Sequence, residues 1–307
     1  MRCFVLKFIF RIIFPLMVVF GFLEFELRKI PNNYSYKFEE LKHSNRGVKT
    51  IIFGGSEGFC GLNPSIMDVP AYNACLNSQS IKYNGVVWDM MSPNFTQLRF
   101  LVITVSYHNL IYSLERETPK LLKYYDLFFD IKNIPWWDIE DKFLCLDDNM
   151  LFSSRRLVNY FRGADSEISS TKLGFATRFS LALRQANWKE QGVELIKKTT
   201  YKDSVENLAE NLACLNQIIK SCKIKNIKVL LVAPPISKGY YQVLGEKRLS
   251  NLMRICTQLE NENTNVKYID LSLNDKFSDG DFFDLNHLNE FGAIKMSKMV
   301  NDIIHNN

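Results

Sequence analysis

Short, wholly apolar runs alternate along this chain with stretches whose apolar positions recur at helical spacing. "VKTIIFGG" at 48–55 predicts a buried strand that runs into a glycine turn. "VPAYNACLN" at 69–77 predicts a second strand, and "FLVITV" at 100–105 a third. Between them, Val86, Val87, Met90 and Met91 lie at near-helical spacing, and Ser92-Pro93-Asn94 ends that helix. Further on, Val205, Leu208, Leu212, Leu215 and Ile219 share one helical face, with Asp203 or Ser204 as the cap. "IKVLLVAPP" at 227–235 is a strand stopped by two prolines, and "VKYIDLS" is another. "KRLSNLMRICTQLEN" between them and "NEFGAIKMSKMVNDIIHN" at the end read as amphipathic helices. Strand alternating with helix predicts a parallel sheet of about five strands covered on both faces, a three-layer α/β domain. Sites in such sheets gather beyond the carboxyl ends of the strands. Ser56, the residues after Val105 and the pair Pro234-Pro235 all fall there.

Two segments break the alternation. Residues 115–200 hold the aromatic run "YYDLFFDIKNIPWWDIEDKF" followed by Ser- and Arg-containing stretches, which reads as an aromatic-rich helical insertion or lid. Trp136, Trp137 and the tyrosines either pack a lid onto the domain or form an amphipathic wall for a sugar face. The N-terminus carries Arg2, Lys7 and Arg11, then an uninterrupted apolar run from Ile12 to Leu23, with no small-residue cleavage site after it. That pattern predicts an uncleaved signal anchor over residues 1–28, spanning the membrane once with the basic end cytoplasmic; the other reading is a buried or interfacial helix, since the uninterrupted run is short. A linker at 29–47 and a domain at 48–307 on the extracytoplasmic side would follow.

Composition narrows the classes. The 307 residues are 47% hydrophobic and 23% charged, which suits a folded domain with a large core and excludes a disordered chain. The net charge of +5 is spread over scattered lysines without a basic, aromatic-interleaved stripe, so no nucleic-acid partner is expected. The seven cysteines show no C-x-x-C or other metal-ligand spacing. No metal and no cofactor is implied.

The candidate chemistry starts at "IIFGGSEGFCGLNP". Ser56 follows the first predicted strand inside a G-x-S-x-G spelling. A serine nucleophile needs a base in hydrogen-bond reach and a group to orient that base. Of the four histidines, His43 lies in the lead-in and His305 near the end, which leaves His108 and His287. His287 follows Asp284 by three residues in "FFDLNHLNEFGA", a spacing that lets one carboxylate fix the imidazole tautomer. An α/β-hydrolase would place its serine after several strands and its acid far from the histidine. A phosphate loop would need a lysine after the glycines. Neither pattern is present.

As a set, these residues resemble the SGNH, or GDSL-type, hydrolase superfamily. "GLNP" at 61–64 and "HLNEFGA" at 287–293 are similar to its membrane-anchored bacterial cell-envelope branch. The resemblance covers about residues 48–304. It implies a flavodoxin-like doubly wound sheet, Ser56 as nucleophile, His287 as base and Asp284 as its orienting acid. Oxyanion donors would come from Ser78, where the family has a glycine, and from Asn109. Gly55 stands where the family has aspartate, and Glu57 where relatives carry histidine or a small polar residue. The implied activity is ester hydrolysis or O-acetyl transfer on an envelope polysaccharide. A membrane acyl-donor protein and inner-membrane lipid would be the partners. The alternative is a catalytically inactive module of the same fold that binds glycan or assists envelope assembly.

Overall fold

A computed structural model describes residues 7–43, 47–132, 134–135, 138, 140–146, 150–163, 167–198 and 204–306. The chain divides into two compact units. One comprises residues 1–38 and 118–168, the other residues 39–117 and 169–307.

The second unit holds a five-stranded parallel sheet. Its strands are β1 (Thr50–Phe53), β2 (Ala71–Asn73), β3 (Phe100–Thr104), β4 (Lys228–Ala233) and β5 (Val266–Asp270), in the order β2-β1-β3-β4-β5. Every pair is parallel, with Thr50 opposite both Ala71 and Phe100. β1 and β3 are buried at every position, which is why they read as continuous apolar runs rather than alternating ones. The helices Ile81–Met91 and Val205–Ile224 pack on each other, tied by a 3.0 Å bond from Trp88 Nε1 to Ser221 Oγ. The closing helix Glu290–His305 packs on the short helix Ser56–Gly61. Strand order reverses between β1 and β3, so the crevice beyond their carboxyl ends is the topological switch point of a doubly wound sheet.

The glycines of the serine turn serve close packing. Gly54 has φ +153°, and a Cβ there would collide with the Thr104 hydroxyl at the end of β3. A Cβ on Gly58 would stand 2.6 Å from Thr104 Oγ1 and 2.7 Å from Cys75 Sγ. Gly58→Ala is therefore expected to destabilise the unit by about 1–3 kcal/mol through overpacking. Urea denaturation would report this as a lower midpoint, and an unchanged midpoint would mean that Thr104 and Cys75 yield freely.

The first unit corrects the N-terminal expectation. Residues Ile9–Ile13 wind as a π-helix, and the α-helix that follows, Phe14–Lys29, has 16 residues. A bilayer core calls for about 20 predominantly apolar residues. Among the described residues no helix is long and apolar enough to cross a membrane. Phe14, Leu16, Met17, Val18, Val19 and Phe22 of the apolar run are exposed, while the positions that follow it serve a protein core. Leu27 and Ile30 join Leu144, Cys145 and Leu157 in a core of this unit's own, with Phe20 and Leu23 packed against it. Glu24 is buried with them; its carboxylate accepts bonds from the Cys145 N–H at 3.0 Å and from Arg28 Nε at 2.7 Å. The signal anchor, the single-span membrane localisation and the inner-membrane lipid contact all depended on a spanning helix and fall with it. Within the segment read as a linker, Asn33–Lys42 form a helix. The aromatic stretch contributes helices at Leu122–Phe129 and Met150–Phe161. Trp136 and Trp137 lie outside the described residues.

Candidate functional site

Two short helices, each at the carboxyl end of a central strand, carry two of the five predicted site residues, Ser56 and Asn109. Ser56–Gly61 follows β1, and Tyr107–Ile111 follows β3. A short helix leaves its last carbonyls short of intrahelical partners, and buried asparagines from neighbouring elements bond carbonyls in and just beyond these two helices. Asn73, at the end of β2, donates from Nδ2 to the carbonyls of Gly58 at 2.9 Å and Leu62 at 2.7 Å. Asn211, on the long helix, donates to the carbonyls of Leu110 at 3.0 Å and Tyr112 at 2.9 Å. Neither asparagine could be recognised in the sequence, because the carbonyls they serve are remote along the chain.

Ser56, His287 and Asp284 come together. Ser56 Oγ lies 2.7 Å from His287 Nε2. His287 Nδ1 lies 2.8 Å from Asp284 Oδ2 and 2.9 Å from Oδ1. A carboxylate only accepts, so Nδ1 carries the proton and Nε2 is left to accept from the serine. The Asp284 carboxylate also accepts from the backbone N–H of Asn286 at 3.1 Å and of His287 at 2.9 Å. Burial by itself would push the imidazole toward its neutral form. The charge and hydrogen bond of Asp284, with a further contribution from Glu57, outweigh it and raise the His287 pKa. For Asp284 burial raises the pKa, but the His287 charge and these hydrogen bonds overcome it and lower it.

The loop that carries the acid and base is fastened at several points. The Ser237 N–H, just after Pro234-Pro235, donates to the Leu285 carbonyl at 3.0 Å. The Leu285 side chain sits where a Cβ on Gly192 or Gly239 would stand, 2.6 and 2.9 Å away. Arg184 donates to the Asp279 and Phe282 carbonyls at 2.7 and 2.8 Å. Asn289 caps the closing helix through Phe291 N and Gly292 N, and its Nδ2 donates back to the Gly280 carbonyl at 2.7 Å. Gly292 lets that helix pass against the Asp281 carbonyl. "HLNEFGA" thus encodes an anchored loop as well as an imidazole. "GLNP" encodes a matching contact, since the Asn63 N–H donates to Ser297 Oγ of the same helix at 2.8 Å.

The predicted oxyanion residues are placed as follows. Ser78 adopts φ +56°, a left-handed conformation that favours glycine, and its N–H donates to no described residue. Asn109 caps its own helix with Ser106; its Oδ1 accepts from the Ser106 N–H at 3.0 Å. Its Nδ2 donates to no described residue and lies 3.2 Å from where a Cβ on Gly55 would stand. His108, the other histidine weighed, tilts against the Tyr112 ring at 5.0 Å between centroids. Phe179 had no signal in the sequence. Its ring lies 5.1 Å from the His287 ring and 5.3 Å from Phe283. The strap that carries it is pinned by Ser180 Oγ and the Leu181 N–H to the Glu290 carboxylate, and by the Ala176 N–H to the Phe59 carbonyl. Among the described residues no cluster could hold a metal ion, and the six cysteines found there, of the chain's seven, are free thiols.

No protein-family profile matches the chain, and no curated protein matches it. Among solved structures it is similar to a provisionally assigned acylhydrolase from Bacteroides fragilis NCTC 9343. That match has a TM-score of 0.41 at 10% identity and covers 87% of this chain and 95% of the other. It is also similar to a protein of Streptococcus pneumonia provisionally described as a platelet activating factor. There the TM-score is 0.44 at 8% identity, with 95% of this chain and 98% of the other covered. These values describe a distant likeness of fold. They do not carry the assignment to a membrane-anchored envelope branch of SGNH hydrolases, whose distinguishing span is missing from the described residues. The surface polysaccharide and the membrane acyl-donor partner came with that branch and are withdrawn with it.

Proposed function

We propose that the sheet-bearing unit is a serine-dependent hydrolase of acyl esters. The observation that carries this reading is the unbroken hydrogen-bond chain from Ser56 Oγ through both nitrogens of His287 to Asp284, with links of 2.7 and 2.8 Å. Ser56 Oγ attacks the ester carbonyl carbon while its proton passes to His287 Nε2. The carbonyl π pair moves onto oxygen, and the Ser78 N–H and Asn109 Nδ2 donate to that oxyanion. Asp284 holds the imidazolium and is not itself protonated. Collapse of the intermediate breaks the C–O bond to the alcohol, which leaves with the proton from Nε2. Water, deprotonated by the same nitrogen, then attacks the acyl-serine; the acid departs and the Ser56 hydroxyl is restored. Phe179 lies against the imidazole, its ring 5.1 Å away and tilted by 42°.

A fluorophosphonate probe tests this directly, because phosphorus bonds to an activated serine oxygen as fluoride leaves. The expected result is one label per chain, lost in Ser56→Ala. A folded wild-type protein that takes no label, or a label that persists in Ser56→Ala, overturns the reading.

A further inference from the structure

Glu57 directly follows the serine, is only 5% exposed, and has no part in the proton path described above. Its Oε1 accepts a hydrogen bond from the Ser106 hydroxyl at 3.1 Å, a link across 49 positions from the loop after β1 to the loop after β3. Ser106 in turn holds Asn109. The Ser106 N–H donates to Asn109 Oδ1 at 3.0 Å, Ser106 Oγ lies 2.9 Å from that oxygen, and the Asn109 N–H donates to Ser106 Oγ at 3.2 Å. The carboxamide is therefore held by its oxygen, and its two Nδ2 protons remain for another acceptor. Both ends of this chain meet at the residue before the serine. A Cβ on Gly55 would stand 3.2 Å from Asn109 Nδ2 and 3.2 Å from Glu57 Oε2. A carboxylate bound to one hydroxyl in a buried position is a poor way to gain stability, but a good way to fix the spacing of two loops.

We infer that Glu57 is a positioning residue: through the Ser106 hydroxyl it fixes the Asn109 carboxamide relative to Ser56, and so sets the strength of the side-chain oxyanion donor. The inference rests on the hydrolase reading above. Glu57 also bears on the His287 pKa through its charge, so kcat is read on the plateau above the His287 limb; there Glu57 acts through Asn109, and a double-mutant cycle measures that coupling.

The experiment uses the full chain and p-nitrophenyl acetate, with kcat and KM measured separately and folding followed by circular dichroism. Asn109→Ala is expected to lower kcat by roughly 100-fold or more. Glu57→Ala is expected to lower kcat about 10- to 100-fold, within that limit, and to leave KM within about twofold. The double variant Glu57→Ala/Asn109→Ala should fall no further than Asn109→Ala alone. Glu57→Gln keeps an oxygen for the Ser106 hydroxyl and should recover most of the loss. Should Glu57→Ala fail to fold, Ser106→Ala takes its place in the cycle. Losses that multiply in the double variant, or Glu57→Ala with unchanged kcat, overturn the inference while leaving the hydrolase reading intact. A folded wild-type chain inert to both the ester and the fluorophosphonate overturns the two together.

Discussion

Alanine at Ser56 is expected to lower kcat on an activated ester by roughly 10⁶-fold, and adding His287→Ala is expected to cost almost nothing more. The two groups share one proton across 2.7 Å, so removing either disables the same step. What should survive is the catalysis that needs neither group, roughly 10³-fold over water from binding and oxyanion donors alone. Ser56 is the partly exposed position in a turn whose neighbours are buried, so the alanine leaves the packing of Gly54 and Gly58 on Thr104 unchanged. Circular dichroism and thermal midpoints of the single variant should match the wild type. Burst and steady-state kinetics check the rest. A Ser56→Ala protein that keeps more than about one part in a hundred of the wild-type rate would assign the chemistry to another group, because a lost nucleophile cannot cost so little.

The parts of this molecule legible in its sequence are those written in short spacings. An apolar run that is buried on both faces announces itself, and "TIIF", "FLVIT" and "VLLVA" lie in β1, β3 and β4. The D-x-x-H spacing is also local. One turn brings the Asp284 carboxylate to Nδ1 of His287, and a position after the first strand identified Ser56. Residues that act across long separations left no such trace. Phe179 meets His287, Asn73 serves the serine helix and Glu57 reaches Ser106, and each pairing depends on how the sheet assembles. The G-x-S-x-G spelling misleads for a related reason. Gly54 and Gly58 are required by Thr104 across the sheet, and the motif they happen to spell belongs to a different fold. The N-terminus shows the limit of hydropathy. An apolar pattern does not say which of its positions a protein core will cover. Past the Ile12–Leu23 run, whose Phe14, Leu16, Met17, Val18, Val19 and Phe22 are exposed, Leu27 and Ile30 are covered by protein and the Glu24 carboxylate accepts from the Cys145 amide.

Asparagine at position 284 should lower kcat by roughly 10⁴-fold and move the acid limb of the pH profile downward. The base must be neutral to take the serine proton, so kcat/KM rises with pH as His287 loses its own. Because Asp284 and, less strongly, Glu57 raise the His287 pKa despite its burial, the wild-type limb should lie above the ordinary histidine value of about 6.5. Asp284→Asn removes the larger of these charges and its hydrogen bond, and the limb should then fall below the wild-type position. The same couple makes stability run against activity. A histidine whose pKa is raised on folding stabilises the fold fully below about pH 6.5, and that contribution is lost as pH climbs through the raised value. An aspartate whose pKa is lowered contributes above about pH 4, and loses its contribution as pH falls through the lowered value. Both contributions are present together only between about pH 4 and 6.5, where the imidazole is charged and the site idle. The thermal midpoint of the wild type, measured against that of Asp284→Asn, should therefore show its greatest excess near pH 5–6 and a shrinking one toward pH 9, while kcat/KM climbs over the same interval. A limb at or below 6.5, or an excess that grows with pH, would mean that Asp284 does not hold the imidazolium.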